Sequence, residues 1–218
     1  MHHLSSAIVI GNGESRNCLD LKTYLGKITL IGCNAIHRDL LVDHLVCCDN
    51  RMVHETVSRK KSHKISKIYT RQRYFKDFNK LYDNSRVQLL PPLPYEGSLK
   101  PDQPEHWGSG PYALLLAVHL NFSTVHMVGF DLYGKNFLVN NVYKNTPNYL
   151  TENKPAVDPA YWIYQIRKIF VYYPLTNFKI YNTLDWKLPD DWVLPNVEYI
   201  DLNKFNIGIA NEINTVYT

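Results

Sequence analysis

The chain has 218 residues, 45% of them hydrophobic and 20% charged, with a formal net charge of +4. This length favours one domain, residues 1–218, which can bury roughly 70% of its unfolded surface and needs no disulfide or metal to fold. The weak positive balance suits a small anionic ligand and does not favour nucleic acid as a partner. No apolar run approaches the roughly 20 residues of a membrane span, and the N-terminal stretch lacks the apolar core of a signal peptide. Cys18, Cys33, Cys47 and Cys48 show neither CxxC nor zinc spacing, so they read as reduced thiols of a cytoplasmic protein, three of them in core runs.

The first element is Ala7-Ile8-Val9-Ile10, continuously apolar and β-branched, as a strand buried on both faces should be. It stops abruptly at Gly11-Asn12-Gly13-Glu14-Ser15. Leucines at 19, 21 and 25 predict a short helix over 17–25. Residues 27–32 form a second buried strand closed by Cys33-Asn34, and 44–48 a third closed by Asp49-Asn50. A helix over 52–59, a strand over 67–70, a helix over 74–82 and a strand over 87–90 follow. The basic run Arg59-Lys60-Lys61-Ser62-His63-Lys64, with Lys67, Arg71 and Arg73 beyond it, reads as a solvated helix end. Its alternative is a patch facing phosphate or a membrane surface, which would make the protein membrane-peripheral.

Prolines at 91, 92, 94, 101 and 104 predict a surface loop without regular structure. It leads into Gly108-Ser109-Gly110 and a helix over 111–120, with Pro111 suited to the first turn. Residues 124–129 are the next buried strand, running into Asp131-Leu132-Tyr133-Gly134. Residues 134–157, rich in Asn, Tyr, Lys and Thr, read as a lid or insertion without its own core. Asp158 and Pro159 open a helix reaching about residue 172. Its Tyr161, Trp162, Tyr164, Phe170, Tyr172 and Tyr173 could supply a homo-oligomer interface as readily as a core. Strands at 178–182 and 197–200 complete the pattern.

Strand alternating with helix predicts an α/β fold: a Rossmann-like, mostly parallel sheet flanked by helices, with a small lid. Ligands of such sheets sit outside the carboxyl ends of the strands. There the chain places Gly11, Asn12, Gly13 and Ser15, then Asn34, Asn50 and Asp131, with Ser109 and Gly110 opening a helix. Glycine allows close backbone approach, a helix N-terminus offers free N–H groups to an anion, and Asn bonds to ribose and base edges. The plain alternative is tight-turn chemistry. The loop is neither GxGxxG nor a P-loop, which argues against NAD and ATP hydrolysis.

These residues resemble a family. Ile8-Val9-Ile10-Gly11-Asn12-Gly13-Glu14-Ser15 is similar to the first-strand motif of the bacterial sialyltransferases of glycosyltransferase family 42, usually written GNGPS. Cys33-Asn34, Ser109-Gly110-Pro111-Tyr112 and Gly129-Phe130-Asp131-Leu132-Tyr133 resemble that family's later motifs, in order, over residues 7–133. The resemblance implies the glycosyltransferase A-like variant of the fold and a metal-independent transfer from a CMP-sugar donor to a glycan or other hydroxyl acceptor, with no cofactor. It implies that Asn12, Ser15 and Asn34 hold the nucleotide, that Asn50 and Ser109 approach the phosphate and sugar, and that Tyr133 bonds to the phosphate. Tyr143 is the candidate for a second phosphate tyrosine, at the wrong spacing. Glu14 stands where the family has Pro, and is expected to point away from a phosphate, cap the helix or contact a ribose.

The family's His base, which follows the Asp-Tyr strand, has no counterpart here, since no His follows His126. His106, next to Trp107, and Asp158 are the catalytic candidates that remain; Asp158 also reads simply as a helix cap. Two other functions fit: a nucleotide-dependent diphosphokinase resembling the hydroxymethylpterin type, which requires Mg²⁺ and ATP, and a catalytically degenerate nucleotide-binding protein.

Overall fold

The computed structural model describes residues 6–59, 65–76 and 86–216. Among these residues, eight strands make one parallel sheet: β1 (Ser6–Ile10), β2 (Thr29–Cys33), β3 (His44–Val46), β4 (Lys67–Thr70), β5 (Val87–Leu89), β6 (Thr124–Val128), β7 (Asn177–Asn182) and β8 (Val197–Asp201). Their order is β5-β4-β3-β2-β1-β6-β7-β8. The chain therefore winds outward from β1 to β5, returns to place β6 beside β1, and winds outward again. The fold is the expected α/β sheet flanked by helices, and its switch point lies between β1 and β6.

The apolar runs are continuous because both faces are covered. Ala7 and Val9 pack with α2 (Ser109–His119) and α3 (Ala160–Tyr172). Ile8 and Ile10 pack on the opposite face, with α1 (Asn50–Ser58) and α4 (Phe205–Val216). Side chains alternate across a strand, so two adjacent residues serve two cores.

Several local expectations change. The helix expected over 17–25 is instead two 3₁₀ turns, Glu14–Cys18 and Leu21–Tyr24. Asp20 interrupts them, its side chain accepting from the Lys22 N–H at 3.3 Å and thereby starting the second turn. The helix α4 was not expected, because its Gly208 and several Asn residues lower helix propensity; packing of Phe205 and Ile209 into the core holds it. Of the helix expected over 74–82, residues 72–76 are helical and 77–82 lie outside the described residues, as do Lys60, Lys61 and Lys64 of the basic run. No helix among the described residues is long and apolar enough to cross a membrane.

Residues 134–157 run across the carboxyl edge of the sheet. Tyr143 is buried in the core of the α1 face, whereas α3, which follows, packs on the other. The Val142 N–H donates to the Asn12 carbonyl at 2.9 Å, and Arg38 donates to the Thr146 hydroxyl at 2.7 Å. Arg16 donates to the Tyr143 hydroxyl at 2.8 Å, and that hydroxyl donates to Asp39. The segment thus borrows the domain's core rather than building its own.

A charged pin ties α4 to the sheet. The Glu212 carboxylate lies 2.8 Å from His126 Nε2, 2.8 Å from Lys179 Nζ and 2.5 Å from the Ser6 hydroxyl. Burial raises the carboxyl pKa, but these three partners more than offset that and hold it down to about 2. The folded value lies below the usual carboxylate value of about 4.3. Its stabilisation is therefore complete above that pH and is lost as pH falls toward about 2. Urea titrations should show the midpoint falling across this window by the equivalent of roughly 2–3 kcal/mol. Glu212→Gln should be less stable at neutral pH and flatter in acid; an unchanged acid slope would remove Glu212 as its source.

Candidate functional site

The β1 and β6 ends are locked together. The Gly11 N–H donates to the Val128 carbonyl at 2.8 Å and the Gly13 N–H to the Gly129 carbonyl at 2.9 Å. A Cβ on Gly11 would lie 2.2 Å from the Gly129 oxygen, and one on Gly13 would lie 2.4 Å from the Asp131 carboxyl carbon. Both glycines are thus demanded by the protein's own backbone and by Asp131.

Asp131 is buried and fully engaged. Its carboxylate accepts from the Ser15 N–H at 2.8 Å, the Ser15 hydroxyl at 2.5 Å and Asn182 Nδ2 at 3.3 Å. Burial raises its pKa, against the lowering effect of these bonds. Asp131 and Ser15 therefore shape the loop.

Above these ends lies a cavity of about 550 Å³. Of the residues singled out from sequence, Gly11, Asn12, Gly13, Asn34, Ser109, Gly110 and Asp131 line it. Asn12 Nδ2 donates to the Cys33 carbonyl at 3.2 Å, while its Oδ1 is buried with no partner among the described residues. A buried acceptor without a partner is costly unless something fills it. Asn34 adopts a left-handed backbone, φ 49°, which Asn tolerates better than most residues. Its amide oxygen accepts from the Ser109 hydroxyl at 2.8 Å, and that hydroxyl accepts from the Cys48 N–H at 2.9 Å. Ser109 thus ties the N-terminus of α2 to the ends of β2 and β3.

The other candidates sit elsewhere. Ser15 is turned to Asp131. Asn50 is exposed at the start of α1, and its neighbour Asp49 occupies the wall instead. Tyr133 is exposed, its ring 5.1 Å from Phe137. Tyr143 is buried on the opposite face against Arg16 and Asp39. His106 is exposed outside the wall, and the exposed Asp158 accepts from the Ala160 N–H at 2.9 Å, one residue before the Pro159 N-cap of α3. Glu14 points to Lys144, 2.8 Å away.

The wall also holds residues that sequence reasoning did not assign to a site: Arg71, Arg73, Tyr74, Asn140, Asn141 and Trp162. Arg71 donates to the carbonyls of Glu105 and, at 2.7 Å, Trp107, fixing the loop that enters α2. Arg73 stacks over Tyr74, 4.5 Å from its ring centre. The signal for both arginines was the basic run beside β4. Asn140 accepts from the Glu14 N–H at 2.7 Å, so the 134–157 segment forms a fixed side of the cavity. The cavity reaches from β1 to β4, three strand spacings or roughly 14 Å.

No protein-family model and no curated protein matches the chain. Among solved structures, a mutant of alpha-2,3/8-sialyltransferase CstII aligns with a TM-score of 0.50 at 13% identity, over 91% of this chain and 88% of that one. The fold is sialyltransferase-like. The sialyltransferase CstII from Campylobacter jejuni, in complex with the substrate analogue cytidine-5'-monophosphate, aligns with a TM-score of 0.48 at 14% identity, over 91% and 87% of the two chains. In the sialyltransferase-like fold of this chain, the cavity occupies the switch point of the sheet.

Proposed function

We propose that this protein is a glycosyltransferase that binds a CMP-linked sugar in the switch-point cavity and transfers the sugar to an acceptor hydroxyl without a metal. The observation that carries this reading is the composition of the wall. Asn12 presents an unpartnered acceptor suited to a base amino group or a ribose hydroxyl. The first N–H groups of α2, at Ser109 and Gly110, have no intrahelical partner and suit a phosphate. Arg71 and Arg73 add positive charge on the same wall. The sialyltransferase-like fold supports the reading.

In the proposed step, the acceptor oxygen bonds to the anomeric carbon as the bond from that carbon to the CMP phosphate oxygen breaks. The bonding pair leaves on the phosphate oxygen, which the start of α2 stabilises. Asp49 takes the hydroxyl proton. The wall's other carboxylate, Asp131, is committed to Ser15 and Asn182. That commitment also disfavours a Mg²⁺-dependent diphosphokinase, which needs carboxylates free for the ion.

Thermal-shift measurements with CMP, CDP, UDP and ATP, with and without Mg²⁺, test the reading. CMP should stabilise the protein without Mg²⁺, and Asn12→Ala should weaken CMP binding about tenfold, the equivalent of one good hydrogen bond. Stabilisation by ATP only with Mg²⁺ would favour the diphosphokinase. No shift with any nucleotide would sink the site. CMP binding with no transfer from CMP-sugars would favour a degenerate protein.

A further inference from the structure

A second cavity of about 210 Å³ adjoins the first. Arg71 and Arg73 line both, so the slot lies next to the β4 end of the nucleotide cavity with the two arginines between them. Its character is different. Apart from the arginines, its wall is mostly apolar, with Leu89, Leu90, Pro91, Pro92, Leu93, Pro104 and Tyr112 beside the polar Gln72 and Glu105. Leu89 is 42% exposed on β5, the edge strand of the sheet. Pro92 is exposed as well, and Tyr112 is buried at the base of α2, where burial raises its hydroxyl pKa. Proline and leucine offer few hydrogen bonds, so this slot suits a hydrocarbon or aryl group better than a bare sugar, whose hydroxyls would go unpaired.

We propose that the slot binds the apolar aglycone of the acceptor, so that the natural acceptor is an amphipathic glycoside whose sugar hydroxyl faces the donor across the two arginines. The proposal rests on the transferase reading, which requires a second substrate to reach the same cavity. Because Arg71 and Arg73 border both cavities, an occupant of the slot lies beside the donor. An apolar occupant also covers the exposed leucine of an edge strand, a surface that otherwise invites association.

The test is calorimetric titration with methyl, butyl, hexyl and octyl β-galactoside, with and without saturating CMP, keeping each below micelle formation. The sugar is a constant headgroup and the chain is the variable. Binding should tighten by about fourfold per added methylene, levelling off once the slot is full. Leu89→Asp and Pro92→Asp, both at exposed positions, should abolish the dependence on chain length and leave the CMP-induced thermal shift unchanged. A CMP shift without any chain-length dependence overturns the slot and leaves the nucleotide reading standing. A dependence that survives both variants also overturns the slot, since the alkyl chain then binds elsewhere. Chain-length dependence in a protein that no nucleotide stabilises overturns the acceptor assignment together with the transferase reading.

Discussion

Gly11→Ala should cost about 3 kcal/mol or more, the upper end of overpacking penalties. For a chain of this size that is a fall in melting temperature of roughly 6–12 °C. The reason is rigid: the added carbon meets the Gly129 carbonyl oxygen at 2.2 Å. Gly129 itself has φ +70°, and a Cβ there would meet the Gly11 oxygen at 2.8 Å. Neither backbone can yield without parting β1 from β6. The control is Gly26→Ala, where φ is +71° but nothing lies within 4 Å of the new carbon. It should cost only the left-handed backbone penalty, about 1–2 kcal/mol. Chemical denaturation of the two variants decides the matter. Equal losses would mean that the close approach at the switch point does not govern stability.

Asp49→Asn should lower transfer from a CMP-sugar by about 10²–10⁴-fold, the usual contribution of a positioned base. CMP affinity should be almost unchanged. The substitution is mild structurally, because Asp49 caps α1 by accepting from the Arg51 N–H at 2.9 Å, and Asn caps helices equally well. What is lost is the charge and the ability to take a proton. Rates of transfer and of donor hydrolysis, measured beside the melting temperature, separate this role from a structural one. Full activity in Asp49→Asn would send the proton elsewhere.

The strands were legible because a strand covered on both faces must be apolar at every position, which Ala7 to Ile10 and Thr124 to Val128 are nearly throughout. The polar strand ends were legible for the complementary reason: where the sheet stops, Asn12, Asn34 and Asp49 follow. Their partners were not. Ser15 and Asp131 both looked like ligand contacts, yet they bond to each other across 116 residues of chain. Tyr143 looked like a phosphate tyrosine and is instead held against Arg16 on the far side of the sheet.

The sequence by itself pointed to the place where the cavity lies, at the ends of buried strands beside Gly11-Asn12-Gly13, because strand ends and glycines are local features. Only the tertiary structure decided which side chains share that space. It set Arg71, Arg73 and Trp162 into the wall and turned Ser15, Tyr133 and Tyr143 away, because the direction a loop residue faces depends on elements far from it in the chain. It also changed the meaning of the glycines. Gly11 and Gly13 are small because Gly129 and Asp131 press against them, and that close contact between β1 and β6 forms the floor of the cavity.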